Sequence, residues 1–144
     1  MVILSVLHML RVIFYGAYKY PREMTWFSGV GLLLLVLGFG FTGYLLPWDQ
    51  LSVWAVTVGS NMARATPLVG HEGPGQQLLN LGGVDMITKS SDARFALLGA
   101  SEVNEMTLNR FYIFHCIAIP LVAALLMGVH FWRVRKDGGI SGPL

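Results

Sequence analysis

Charge is what this chain has least of. Only 12% of its 144 residues are Asp, Glu, Lys or Arg, about half the roughly 25% usual in a soluble domain. Two stretches, Met24 to Trp48 and Phe111 to Trp132, carry no formal charge at all. Cysteine is scarce too, and the single Cys116 excludes an internal disulfide and any metal site built from several thiolates. A net charge of +2 makes no case for nucleic-acid binding. The N-terminal MVILSVLHML has no basic region before it and no small-residue cleavage site after it, so a cleavable signal peptide is not expected. What is present is apolar: 54% hydrophobic residues and a mean hydropathy of +0.59. Those values describe a membrane protein.

The two uncharged stretches are each long enough, as helices, to cross about 30 Å of hydrocarbon at about 1.5 Å per residue. The expected division is a transmembrane helix over residues 24–48 and a second over 108–134. Residues 1–15 are too short for a span and read as the exit end of a helix whose beginning is absent. Between the spans, residues 49–107 form one long connection. Its first part, LSVWAVTVGSNMA, is amphipathic and reads as an interfacial helix; the rest is rich in Gly, Ser and charge and reads as loop with one short helix. That connection holds three basic residues (Arg64, Lys89, Arg94) against six acidic ones. Arg11, Lys19 and Arg22 flank the first span, and Arg133, Arg135 and Lys136 follow the second. The positive-inside tendency therefore puts the Lys19 loop and the C-terminus on the cytoplasmic side.

His8, His115 and His130 lie in these apolar helices, and His71 lies in the connection. An ionisable residue at membrane depth is costly and marks a functional site, although a lone histidine can equally serve as interhelical glue. Three of them, without thiolate or carboxylate companions, favour a cofactor held by neutral imidazole, and haem iron takes such axial ligands. Fifteen positions separate His115 from His130. That is a rise of about 22 Å and an azimuthal offset of about 60°, one ligand near each membrane face. Pro120 between them removes a backbone hydrogen bond and can absorb the mismatch. On the other span, Gly29 and Gly43 are fourteen apart, about 21 Å. They mark either two close approaches to haem edges or the ordinary small-residue packing that Gly31, Gly38 and Gly40 also suit. Arg11 and Arg110 sit where helix ends meet the interface and can each pair a haem propionate, or snorkel to lipid phosphate.

Four motifs, LHMLRVIFYGAYKYPREMTW, GYLLPWDQLSVWAV, LNRFYIFH and VHFWRVRKDGGISGPL, then carry a resemblance. The sequence resembles the N-terminal, haem-bearing half of cytochrome b, and most of all the split form, cytochrome b6. The resemblance covers nearly the whole chain except about residues 70–105. It implies an all-α, transmembrane four-helix di-haem bundle, here truncated to the end of one helix, two full spans and an interfacial helix. It implies a b-type cytochrome subunit of a quinol–cytochrome c or quinol–plastocyanin oxidoreductase, with two b-type haems, one of low and one of high potential.

On the same resemblance, His115 would ligate the low-potential haem on the outer side. His8 and His130 would together ligate the high-potential haem on the cytoplasmic side. Gly29 and Gly43 would be the haem-packing glycines. Tyr44, Pro47, Trp48, Trp54 and Ala55 would line the quinol-oxidation pocket, and Arg135, more loosely Lys136, would sit near an inner quinone site. The implied partners are an iron–sulfur subunit, a c-type cytochrome, a second polypeptide completing cytochrome b, and the lipid of a bacterial inner or thylakoid-type membrane, in a dimeric complex. The family's first helix and most of its second, with the histidine that would complete the low-potential site, have no counterpart here. Cys116 is not the family's covalent attachment cysteine for an extra inner haem. The segment from Gly70 to Glu105 is longer than the family pattern and is expected to meet a lineage-specific partner. Two other readings compete: a di-haem anchor of a hydrogenase or dehydrogenase, against which the PWDQ stretch speaks, and a haem-free relic.

Overall fold

The computed structural model describes residues 1–81 and 84–140; the ISGPL motif from Ser141 onward lies outside the described residues. Six α-helices follow in order: α1 (Val2–Phe14), α2 (Glu23–Leu45), α3 (Gln50–Met62), α4 (Ala93–Leu98), α5 (Glu105–Ile113) and α6 (Ile119–Lys136). Short 3-10 turns lie at Ala63–Ala65 and Gln76–Leu79. The fold is all-α as expected, with one addition among the described residues. A two-residue antiparallel ladder pairs β1 (Asn80–Leu81) with β2 (Val84–Asp85), Asn80 opposite Asp85. The helices α2, with 23 residues, and the continuous run Glu105–Lys136, with 32, are long and apolar enough to cross a membrane.

The chain divides into two compact units. The first comprises Met1–Gly40 and the chain from His115 onward. Here α1 stops where Gly16 takes a left-handed conformation, φ +65°, an ordinary helix terminator because glycine has no Cβ to clash. Glu23 in the first turn of α2 complements the helix dipole. Among the described residues of this unit, the buried ones are Ala17, Arg22 and Ser28, small or polar, while Leu34, Leu37, Leu121, Leu125 and Phe131 stay bare. That is the burial pattern of helices solvated by lipid: small and polar residues face the neighbouring helix, and apolar ones face outward. The ends of the helices are tied together at Asp137. Its carboxylate accepts from Thr25 Oγ1 at 2.8 Å and pairs with Arg133 at 3.3 Å, and its carbonyl accepts from Arg22 Nε at 3.4 Å. An acid at a helix C-terminus opposes the dipole; the two guanidiniums offset that here.

The second unit, Phe41–Phe114, has an ordinary apolar core of Leu45, Val56, Leu98 and Phe111, with Val53, Leu97, Val103 and Leu108 packed against it. The helix α2 ends at Leu45 because Pro47 disfavours helical geometry in the residue before it. Asp49 then caps α3, accepting from the Ser52 amide at 2.7 Å. Ser52, Val56 and Ser60, spaced four apart, form its buried stripe. Gly59 allows Phe41 to approach, since a Cβ there would lie 3.0 Å from the ring.

The long connection is ordered by one carboxylate. Asp92 caps α4 through Oδ1, 2.7 Å from the Phe95 amide, and meets His71 Nδ1 through Oδ2 at 2.5 Å. His71 Nε2 lies 3.2 Å from Glu72, which also approaches Arg64 at 3.9 Å. Arg94 donates to the Ser101 carbonyl. Asn104 and Thr107 form a reciprocal capping box on α5, and Thr107 Oγ1 also donates to the Leu98 carbonyl at 3.0 Å.

Phe111→Ala is expected to destabilise this unit by about 3–5 kcal/mol, measured by chemical unfolding in detergent. The Ser52 amide bonded to Asp49 holds that carboxyl below its ordinary range. A lowered folded-state pKa stabilises above the unfolded value and is lost as pH falls through the folded one. Amide exchange in the first turn of α3 should therefore accelerate below about pH 4, and Asp49→Asn should abolish that pH dependence.

Candidate functional site

Two of the three intramembrane histidines come together in the first unit. His8 on α1 and His130 on α6 line one cavity of about 320 Å³, together with Arg11, Arg22 and Gly29 of α2. The reason Gly29 is glycine is steric. A Cβ there would stand 3.3 Å from His130 Cε1 and 3.9 Å from Met9 Sδ, so any side chain would push the imidazole or its neighbour aside. Packing continues along α2: a Cβ on Gly31 would lie 2.9 Å from Leu126 Cδ2, and one on Gly38 would lie 3.7 Å from Ile119 Cδ1. His130 is oriented by a polar contact, Ser28 Oγ to its Nδ1 at 2.9 Å.

His115 has a different setting. It lies in a π-helical turn, Phe114–Ala118, and the edge of Phe39 meets its ring with centroids 5.3 Å apart. Pro120 was the expected site of loosening, and the backbone departs from α geometry just before it. The physical reason is that Pro120 has no N–H to offer the carbonyl of Cys116, four residues earlier, and a wide turn bonds five residues ahead instead. One turn holding an extra residue changes the phase. The fifteen-residue interval from His115 to His130 then counts as fourteen, an offset of about 40° in the same sense as that between Gly29 and Gly43.

The remaining sequence-predicted residues are placed as follows. Arg11 lines the cavity of His8 and lies over the Tyr15 ring at 5.7 Å. Arg110, the other candidate propionate partner, donates to the Ala96 carbonyl at 2.8 Å within the second unit. Gly43 and Tyr44 belong to the last turns of α2. Pro47 and Trp48 form the turn into α3, where Trp48 adopts φ +53°. That left-handed conformation costs a bulky residue about 1–2 kcal/mol, and such strain gathers at functional positions. Trp54 and Ala55 stand on the exposed face of α3. Arg135 is exposed near the end of α6, and the Lys136 ammonium lies over Trp132 at 5.4 Å.

Four residues beyond those predicted from sequence belong to the site: Ser28, Thr25, Arg22 and Asp137. Arg22, Thr25 and Asp137 line the cavity itself, and Ser28 touches His130. The signal for Ser28 was its place beside Gly29; nothing in the sequence joined it to a residue 102 positions away.

Two imidazoles and two guanidiniums lining one cavity, with a glycine clearing room beside one ring, can hold a flat, dianionic metal complex such as haem. The chain is similar to known proteins along its whole length. A cytochrome b6 from Gracilaria tenuistipitata var. liui is 43% identical over all 144 residues, and the chain spans 57% of that protein's length. Residues 1–143 match the family described as cytochrome b (N-terminal)/b6/petB. With helices that can cross a membrane and a match along essentially its entire length, this chain belongs to the cytochrome b (N-terminal)/b6/petB family.

Proposed function

We propose that this chain is the b-type cytochrome subunit of a quinol-oxidising, membrane-bound electron-transfer complex, and that it holds two b-type haems. One observation carries the reading: His8 and His130 line a single cavity beside Gly29, whose missing side chain leaves the His130 ring its place. His8 and His130 would hold the haem of higher potential. His115, held in its wide turn, would supply a ligand to the haem of lower potential. Haem iron, when bound, accepts and passes one electron at a time between its ferric and ferrous states.

The chain's own residues supply orientation and burial. The guanidiniums of Arg11 and Arg22, which line the cavity, would offer charge-assisted bonds to propionates. Gly29 and Gly43 would let the two haem edges approach α2. Tyr44, Pro47, Trp48, Trp54 and Ala55 would form this chain's part of a quinol-oxidation pocket. The exposure of Tyr44, Trp48 and Trp54 supports this, because bare aromatics can meet both a quinol ring and a second polypeptide. The quinol would lose two protons to the outer side, give one electron to an iron–sulfur partner and send the other across the membrane. Arg135 and Lys136 would stand near an inner quinone site, on the side that also holds the Lys19 loop. A c-type cytochrome and a second polypeptide completing cytochrome b would be the other partners, in a dimeric complex of a bacterial inner or thylakoid-type membrane.

A reduced-minus-oxidised spectrum of the purified complex is expected to show two b-type signals of different potential; no b-type signal would overturn the assignment. His130→Leu should remove the higher-potential signal and spare the other, and loss of both with the protein intact would contradict the ligand assignment. Gly29→Val should roughly halve the haem-to-protein ratio by displacing His130, measured as pyridine haemochrome.

A further inference from the structure

Ser28 is buried, on α2, one residue before Gly29. Its hydroxyl oxygen makes two contacts of the same length: 2.9 Å to the Thr25 carbonyl and 2.9 Å to His130 Nδ1. A hydroxyl has one proton to give and lone pairs to receive with, and a carbonyl can only receive. For both contacts to be hydrogen bonds, the proton must go to Thr25 and the oxygen must accept from Nδ1. Nδ1 therefore carries the hydrogen, and in a neutral imidazole Nε2 is then left with the free electron pair.

Back-bonding of a serine or threonine to a carbonyl three or four residues earlier is common in helices. Ser52, Thr57 and Ser60 all do it in this chain. What separates Ser28 is that its second contact is an imidazole on another helix, fixed while its own proton is already committed. An acceptor on the far nitrogen of a metal-binding histidine orients the ring and makes it a stronger electron donor. Stronger donation favours ferric over ferrous iron and lowers the reduction potential.

We infer that Ser28 is a positioning residue: bridging the Thr25 carbonyl and His130 Nδ1, it fixes the tautomer of His130 with Nε2 free and tunes the potential of the haem bound there. The inference rests on the haem ligation proposed above for His130 and adds to it a residue that touches neither iron nor porphyrin.

The test uses the intact membrane complex carrying Ser28→Ala or Ser28→Thr, read by potentiometric titration of both b-type signals and by low-temperature electron paramagnetic resonance. Ser28→Ala is expected to raise the midpoint of the His130 haem alone, with a shifted ferric signal. Ser28→Thr, whose hydroxyl can bridge the same two groups, is expected to restore both. An unchanged midpoint and ferric signal in Ser28→Ala overturn the role of Ser28 while leaving haem ligation standing; a wild-type complex with no b-type spectrum overturns both. Where Ser28→Ala does not accumulate, pulsed resonance on wild-type complex with labelled histidine reads the remote ring nitrogen directly. A hydrogen-bonded N–H is expected, and the coupling of an unbonded one overturns the inference.

Discussion

The first unit depends on how closely α2 comes to His130. At Gly29 the separation is set by the absence of one carbon atom, since a Cβ would stand 3.3 Å from the ring. Several polar groups of that unit are arranged around this approach. Ser28, the preceding residue, faces the same imidazole. Thr25, one turn earlier, receives the Ser28 proton at its carbonyl and donates its own hydroxyl to Asp137. In a medium without water to satisfy stray donors, such a chain of short-range bonds is the means by which a polar ring is kept in place.

The second unit solves a different problem with different chemistry. It has a packed apolar core and helix caps of the kind found in soluble domains: Asp49, Asp92 and Asn104 each receive a backbone amide at a helix start. Asp92 also binds His71 across 21 positions, so the carboxylate that begins α4 also fastens the middle of the long connection. One chain thus contains helices stabilised by lipid and helices stabilised by burial, and the charge pattern along the sequence separates the two.

Much of this was legible in the residues. Absence of charge located α2 and the long run ending in α6, because an uncharged helix of that length is long enough to cross a membrane. The amphipathic α3 was read from its pattern; the first span was expected to run to Trp48, and the earlier stop before Pro47 and the Asp49 cap were not read, although local rules cover both. The histidine and glycine spacings identified His8, His130 and Gly29 as candidates. The cluster of Arg22, Thr25, Ser28 and Asp137 was not legible. Each of those residues has a common surface or helix-end role, and they join only when α2 and the end of α6 are set side by side. The backbone at Pro120 was half legible: proline announces a lost hydrogen bond, but not that the chain would compensate with a wider turn rather than a bend. The Asn80–Asp85 ladder was missed because its strands are too short to show alternation.

The inverted burial of the first unit bears on how such a chain is made. Its long side chains, Leu34, Leu37, Leu121, Leu125 and Phe131 among them, point away from the protein, so the native arrangement of these helices would leave that surface bare in water. A newly synthesised copy set free in the cytosol would offer that surface to any other exposed apolar segment. The helices therefore have to pass from the ribosome into lipid as they emerge. The pocket around His130 can form only afterwards, once α2 and α6, more than seventy residues apart in order of synthesis, are both in the bilayer.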